Sequence, residues 1–107
     1  MKRIAILLSG IHFKMKHRAL YGPINIDYRQ CAPNIKERLY NYFSQKFEID
    51  TFVCTNPSPK LEELIECYKP VRYSVSDQDR NHKLIEVFRL MTEYSNESGI
   101  SYDYVLW

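Results

Sequence analysis

The chain begins with one charged position, Arg3, and then an unbroken apolar run, Ile4-Ala5-Ile6-Leu7-Leu8, closed by Ser9-Gly10. A short run without polar alternation suits a strand covered on both faces, as in a parallel sheet between helix layers. A small residue and a glycine at its carboxyl end stand where ligands dock in open α/β sheets. Ile49-Asp50-Thr51-Phe52-Val53-Cys54 reads as a second strand, because Thr, Phe and Val suit a crowded pleated surface. Val71 to Val75 carries apolar residues at 71, 73 and 75, the alternation of a half-exposed edge strand. Tyr102 to Trp107 reads as a fourth strand.

Helical spacing fills the intervals. Pro33 opens the first helix, with Ile35, Leu39, Tyr42, Phe43 and Phe47 on one face and Lys36, Glu37, Arg38 and Gln45 on the other. The second starts with Ser58 as its cap and Pro59 in its first turn, turns Leu61, Leu64, Ile65 and Tyr68 inward, and is stopped by Pro70. The third runs from about Asn81 to Ser98, with Leu84, Val87, Phe88, Met91 and Tyr94 on one face and Gly99 at its carboxyl corner. Residues 11–32 hold Gly22, Pro23, Asn25 and Asp27 and no sustained period. An irregular connection is expected there, and such length points to a functional lid or a mobile segment.

The resulting order is βαβαβαβ. Right-handed crossovers then give an α/β fold: a Rossmann-like three-layer αβα arrangement around a four-stranded parallel sheet of order 3-2-1-4. The first strand is the reversal point. A crevice is expected between the carboxyl ends of the first and fourth strands, lined by Ser9 and Gly10.

Composition narrows the picture. A chain of 107 residues makes one domain, residues 1–107, and 45% hydrophobic with 14% aromatic content supports a folded core. A net charge of +2 with both signs intermixed leaves no clustered basic face, so no nucleic-acid partner is expected. Cys31, Cys54 and Cys67 are odd in number and lack metal-type spacing, which suits reduced thiols inside a cell. No apolar run reaches the roughly 18 residues of a membrane span. The opening run is too short for a signal peptide. Cytoplasm, or the cytoplasm of a host cell, is the expected location.

Spacing excludes a phosphate-loop NTPase and weakens a dinucleotide-binding reading. No glycine-rich phosphate loop and no Gly-x-Gly-x-x-Gly follows a strand. His12, His17 and His82 are not spaced as a helical metal pair. Lys14, Lys16, His17 and Arg18 cluster after the first strand, where they suit either neutralisation of a diphosphate or a solvated loop.

Four stretches in order carry a resemblance: Ile6-Leu7-Leu8-Ser9-Gly10, Ile49 to Asn56, Tyr68-Lys69-Pro70-Val71-Arg72-Tyr73, and Tyr102-Asp103-Tyr104-Val105. At these intervals the chain resembles the amino-terminal half of glycosyltransferase-like proteins of large DNA viruses and microbial surface-polysaccharide clusters. That family is similar to the GT-A architecture, which binds a nucleotide-diphosphate sugar for glycosyl transfer to a glycan or protein acceptor. The resemblance implies donor contacts from Ser9 and Gly10, from Thr55 and Asn56, and from Arg80, Asn81 and Lys83. Thr55-Asn56 also suits a plain turn before Pro57, and Asn81 a plain helix cap. In the family the last strand runs on into an acidic motif that holds manganese or magnesium against the diphosphate. The sequence reaches Trp107 without that motif. The expectation is a half-domain incomplete for catalysis on its own, with no metal ligand and no assigned catalytic residue. The alternatives are a non-catalytic nucleotide-binding module, or a structural remnant that pairs with a second copy or chain through its last strand.

Overall fold

The computed structural model describes residues 2–19, 22–30 and 32–107, with the backbone alone at 13, 15–19, 22–25, 30 and 36. The opening apolar run forms β1 (Lys2–Gly10), with Ile4 through Leu7 buried. Three residues past Gly10 the chain departs from expectation. β2 (Phe13–Ala19) and β3 (Gly22–Asp27) pair antiparallel as a hairpin that stands apart from the main sheet. A single 3-10 turn (Tyr28–Gln30) follows.

The main sheet has four strands, all parallel. β4 (Phe47–Thr55) runs beside β1 from Lys2↔Phe47 to Gly10↔Thr55. β5 (Arg72–Val75) lies outside β4, and β6 (Tyr104–Leu106) lies on the far side of β1. The order is β5-β4-β1-β6. The four segments expected as strands therefore stand in the expected neighbourhood, with β1 inside the sheet. The label 3-2-1-4 is corrected to 5-4-1-6, because the hairpin adds two strands where an irregular connection was expected. The βαβαβαβ order is corrected for the same reason.

Helices cover both faces, as a parallel sheet requires. On one face lie α1 (Ala32–Ile35), a π-helical turn (Lys36–Tyr40), α2 (Asn41–Ser44) and α3 (Leu61–Tyr68). Val53 of β4 packs there with Tyr28, Ala32, Leu64 and Tyr68. The first helix thus ends before Phe47, which starts β4 instead of closing the helical face. α3 begins at Leu61 rather than Pro59, and its N-cap is Lys60 rather than Ser58; the Ser58 hydroxyl accepts the Lys60 N–H at 3.0 Å in the turn before the helix. Lys69, at φ 48°, turns the chain out of α3 in the left-handed conformation.

On the opposite face α4 (Arg80–Ser98) packs alone. Ala5, Leu7, Phe52 and Cys54 meet Val87 and Leu90. Burial of side chains this size contributes about 1.5–3 kcal/mol each. The buried row of α4 is Lys83, Val87 and Leu90, so a charged residue occupies the inward position one turn before the apolar ones. Asp79, not Asn81, caps the helix: its carboxylate accepts the His82 N–H at 2.9 Å. Gly99 closes it in the left-handed conformation, φ 73°, as expected. Among the described residues no helix is long and apolar enough to cross a membrane.

Candidate functional site: a cleft at the carboxyl edge of the sheet

β1, β4 and β5 all run toward one edge, and the loops that leave them enclose a cleft of about 850 Å³. Its walls are the Gly10-Ile11 corner, the Asn56–Pro59 loop and the Asp77–Arg80 turn, with Lys14 and Lys83. The expected crevice between β1 and the last strand is not the one that forms. β6 pairs only with Ile4 to Ile6, so β1 extends past it by four residues to Gly10. The cleft lies instead on the β4 and β5 side. A smaller apolar cavity of about 180 Å³ adjoins it, with Leu8, Val53, Tyr28 and Tyr68 among its walls.

Gly10 forms the corner at φ 120°, a conformation that side chains rarely adopt. A Cβ placed there would meet nothing within 4 Å, so the corner is open space. That openness is what close approach of a ligand to backbone requires. Ser9 is exposed and lines the smaller cavity rather than the cleft.

Thr55 ends β4 and is 2% exposed. Its hydroxyl donates to the Gly10 carbonyl at 2.8 Å, with the Asn56 Oδ1 a longer second acceptor at 3.3 Å. Its oxygen lies 2.6 Å from His12 Nδ1. Both of those acceptors are oxygens without a proton. The Thr55 proton is thus committed to an oxygen, and His12 Nδ1 must be the donor toward Thr55. His12 Nε2 is then the acceptor, and the Ser58 hydroxyl, 2.7 Å away, donates to it. The hydrogen bonds run in one direction, from Ser58 through His12 and Thr55 to Gly10. Thr55 is accordingly a scaffold residue whose hydroxyl is held by protein partners, not one that reaches toward a ligand.

His12 is buried at 7% exposure and is further held by its backbone. Its N–H donates to Asn56 Oδ1 at 3.1 Å, and its carbonyl accepts the Tyr28 N–H at 2.7 Å. Burial pushes its pKa below the ordinary imidazole range, against a smaller upward pull from the Asn56 hydrogen bond. Asn56 lines the cleft while its amide donates to the Pro57 carbonyl at 3.2 Å.

The charges of the cleft come from several elements. Arg80 is exposed on the wall, and its side chain makes no hydrogen bond or ion pair with a described residue. Lys14 is exposed on β2. Lys83 is 3% exposed, and its ammonium donates to the Gln78 carbonyl, which ties α4 to the preceding turn. Asp77 and Asp79 are the acidic residues on the same wall, with Asp79 engaged as the helix cap. Among the described residues no three His, Cys, Asp or Glu side chains come together as a metal-binding group.

Of the seven expected contact residues, Gly10, Asn56, Arg80 and Lys83 meet at the cleft. Ser9 and Thr55 line the adjoining cavity, and Asn81 lines neither. Lys16, His17, Arg18 and Cys31 lie outside the described side chains. Two residues of the hydrogen-bonded chain, His12 and Ser58, were not singled out for the site. His12 could have been noticed as the second residue after the glycine corner; nothing local marks Ser58 beyond the cap expected there, which the structure places at Lys60.

The chain was compared with protein-family models, with curated proteins and with solved structures, and nothing matches in any of the three.

Proposed function

We propose that the cleft binds a nucleotide-diphosphate sugar, and that the chain is a glycosyltransferase-like donor-binding domain. The observation that carries this reading is the meeting of an open glycine corner with Lys14, Arg80 and Asn56 in one cleft at the carboxyl edge of a parallel sheet. Backbone approach at Gly10 suits a pyrophosphate. Arg80 and Lys14 supply charge, and a guanidinium is well matched to phosphate oxygens. The adjoining apolar cavity, with its two tyrosines, suits a flat ring.

Manganese or magnesium enters this reading only as a companion of the diphosphate, because the described residues assemble no three-ligand group for it. No step is assigned to a metal, and no catalytic residue is assigned. The acceptor, a glycan or protein hydroxyl, is part of the proposal by the resemblance alone.

Isothermal calorimetry with uridine- and guanosine-diphosphate sugars, each with and without divalent ion, tests the reading. One donor is expected to bind, and Arg80→Ala is expected to weaken it about tenfold, the size of one charge-assisted hydrogen bond. A folded chain that binds no member of the panel overturns the proposal.

A further inference from the structure

The Ser58–His12–Thr55 chain holds more than a structural role explains. Its polarity is set at one end by Thr55, whose proton goes to an oxygen and whose oxygen therefore accepts from His12 Nδ1. At the other end Ser58 Oγ accepts the Lys60 N–H at 3.0 Å and gives its own proton to His12 Nε2. Ser58 also lines the charged cleft. With His12 neutral, Ser58 has only a lone pair to offer there. An oxyanion meets lone pair against lone pair.

Protonation of His12 reverses this. Nε2 then carries a proton and donates to Ser58 Oγ. With Lys60 N–H the oxygen has two donors, and its own proton is free to turn into the cleft. A positive charge then stands one side chain behind the serine. Nδ1 keeps its bond to Thr55, so the scaffold is undisturbed. We propose that Ser58, backed by His12, is a proton-coupled ligand for a phosphate-type oxyanion: binding the anion draws one proton from solvent onto His12. This rests on the cleft being the anion site proposed above, and it adds a ligand pair that the donor-binding reading did not contain.

The surroundings permit the coupling. From the hairpin and the turn after it, Asp27 and Tyr28 line the same small cavity as His12. Asp27 is held by Arg29 through a 2.6 Å ion pair that drives its pKa down to about 2, and Tyr28 is raised to about 12, so neither changes charge near neutrality. From β4 and α3 come Cys54, whose thiol burial pushes upward, and Tyr68. Across the cleft stand Lys14, Arg80 and Lys83, with Asp77 and Asp79. The imidazole in this shell that can gain a proton near neutral pH is His12, and burial already favours its neutral form until an anion arrives.

The test is an NMR titration of the His12 ring protons in the intact chain, without and with saturating inorganic pyrophosphate. His17→Gln and His82→Gln variants assign the resonance. Pyrophosphate is expected to raise the His12 pKa by about 1, equivalent to about tenfold tighter binding to the protonated form. Ser58→Ala is expected to remove most of that rise. An unchanged His12 titration overturns the inference, and so does a rise that Ser58→Ala leaves intact. The two readings separate in the same samples. If a nucleotide sugar binds while His12 stays put, the coupling fails and the donor reading stands. If pyrophosphate moves His12 and no nucleotide sugar binds, the donor reading fails and the coupling stands.

Discussion

Thr55→Val is the sharpest probe of the hydrogen-bonded chain under the cleft. The two side chains have nearly the same shape, so the change removes a hydroxyl without opening a cavity. Thr55 is 2% exposed, and water cannot replace what is lost. Two bonds go: the donation to the Gly10 carbonyl at 2.8 Å and the acceptance from His12 Nδ1 at 2.6 Å. An ordinary hydrogen bond contributes about 0.5–1.5 kcal/mol net, and a buried donor left unpaired costs about 1–3 kcal/mol. The Gly10 carbonyl is only half-buried, so its loss falls at the low end. His12 bears the larger cost, because Nδ1–H then faces a methyl group in a site that is 7% exposed. A change of tautomer, with Nε2–H donating to Ser58, recovers part of it. The expected total is about 2–3 kcal/mol. With a urea slope of about 1–2 kcal/mol per molar, the unfolding midpoint moves down by about 1–3 M. Thr55→Ser, which keeps the hydroxyl, is expected to lose less than half of that. Urea denaturation followed by circular dichroism reads both variants. If Thr55→Val unfolds within about 0.5 kcal/mol of the parent, the ordering of the chain from Ser58 to Gly10 is wrong.

Three further outcomes follow from the same geometry. Gly10→Ala is expected to cost about 1–3 kcal/mol through backbone conformation alone, since φ is 120° and its Cβ meets no atom within 4 Å; a calorimetric melt unchanged from the parent would refute the strained corner. Asp79→Ala removes the cap at the His82 N–H and is expected to lower stability by about 1 kcal/mol, whereas Asn81→Ala leaves it unchanged; thermal denaturation of the pair decides whether the cap is at 79. Burial holds the His12 pKa below its ordinary 6.5, so the unfolded chain takes up a proton more readily than the folded one. That contribution is whole above pH 6.5 and is lost as pH falls through the lower folded value, so urea midpoints measured stepwise from pH 7.5 to 5 should decline; a flat profile contradicts the buried, neutral imidazole.

Much of the fold follows from local pattern. The run Ile4 to Leu8 has no polar residue, so neither of its faces tolerates water, and a strand of this kind belongs inside a parallel sheet. Leu84, Val87, Phe88 and Met91 repeat at helical spacing and need one apolar partner face, which β1 and β4 provide. Gly99 ends α4 because few other residues accept its left-handed conformation. These features arise from interactions between near neighbours, and near neighbours are what a sequence displays.

What a sequence does not display is the pairing of distant residues. The hairpin of β2 and β3 was hidden behind Gly22, Pro23 and Asn25, although Phe13 to Arg18 and Ile24 to Asp27 each alternate in the manner of strands. The strand breakers weigh against β3 alone, and only its pairing with β2 overrides them. Lys83 was expected as a donor contact, and helix geometry sets it in one buried row with Val87 and Leu90. The cleft moved to the β4 and β5 side because β6 engages β1 only as far as Ile6. His12, Thr55 and Ser58 became one unit although more than 40 residues separate the first from the other two, with |i−j| of 43 and 46. By itself the sequence determined the four strands of the parallel sheet and the helices between them, though not the hairpin, because periodicity and backbone preference are local. Only the tertiary structure decided which hydroxyl is a scaffold, which cation is buried and where the cleft opens, because those depend on hydrogen bonds and packing between residues that only the fold brings together.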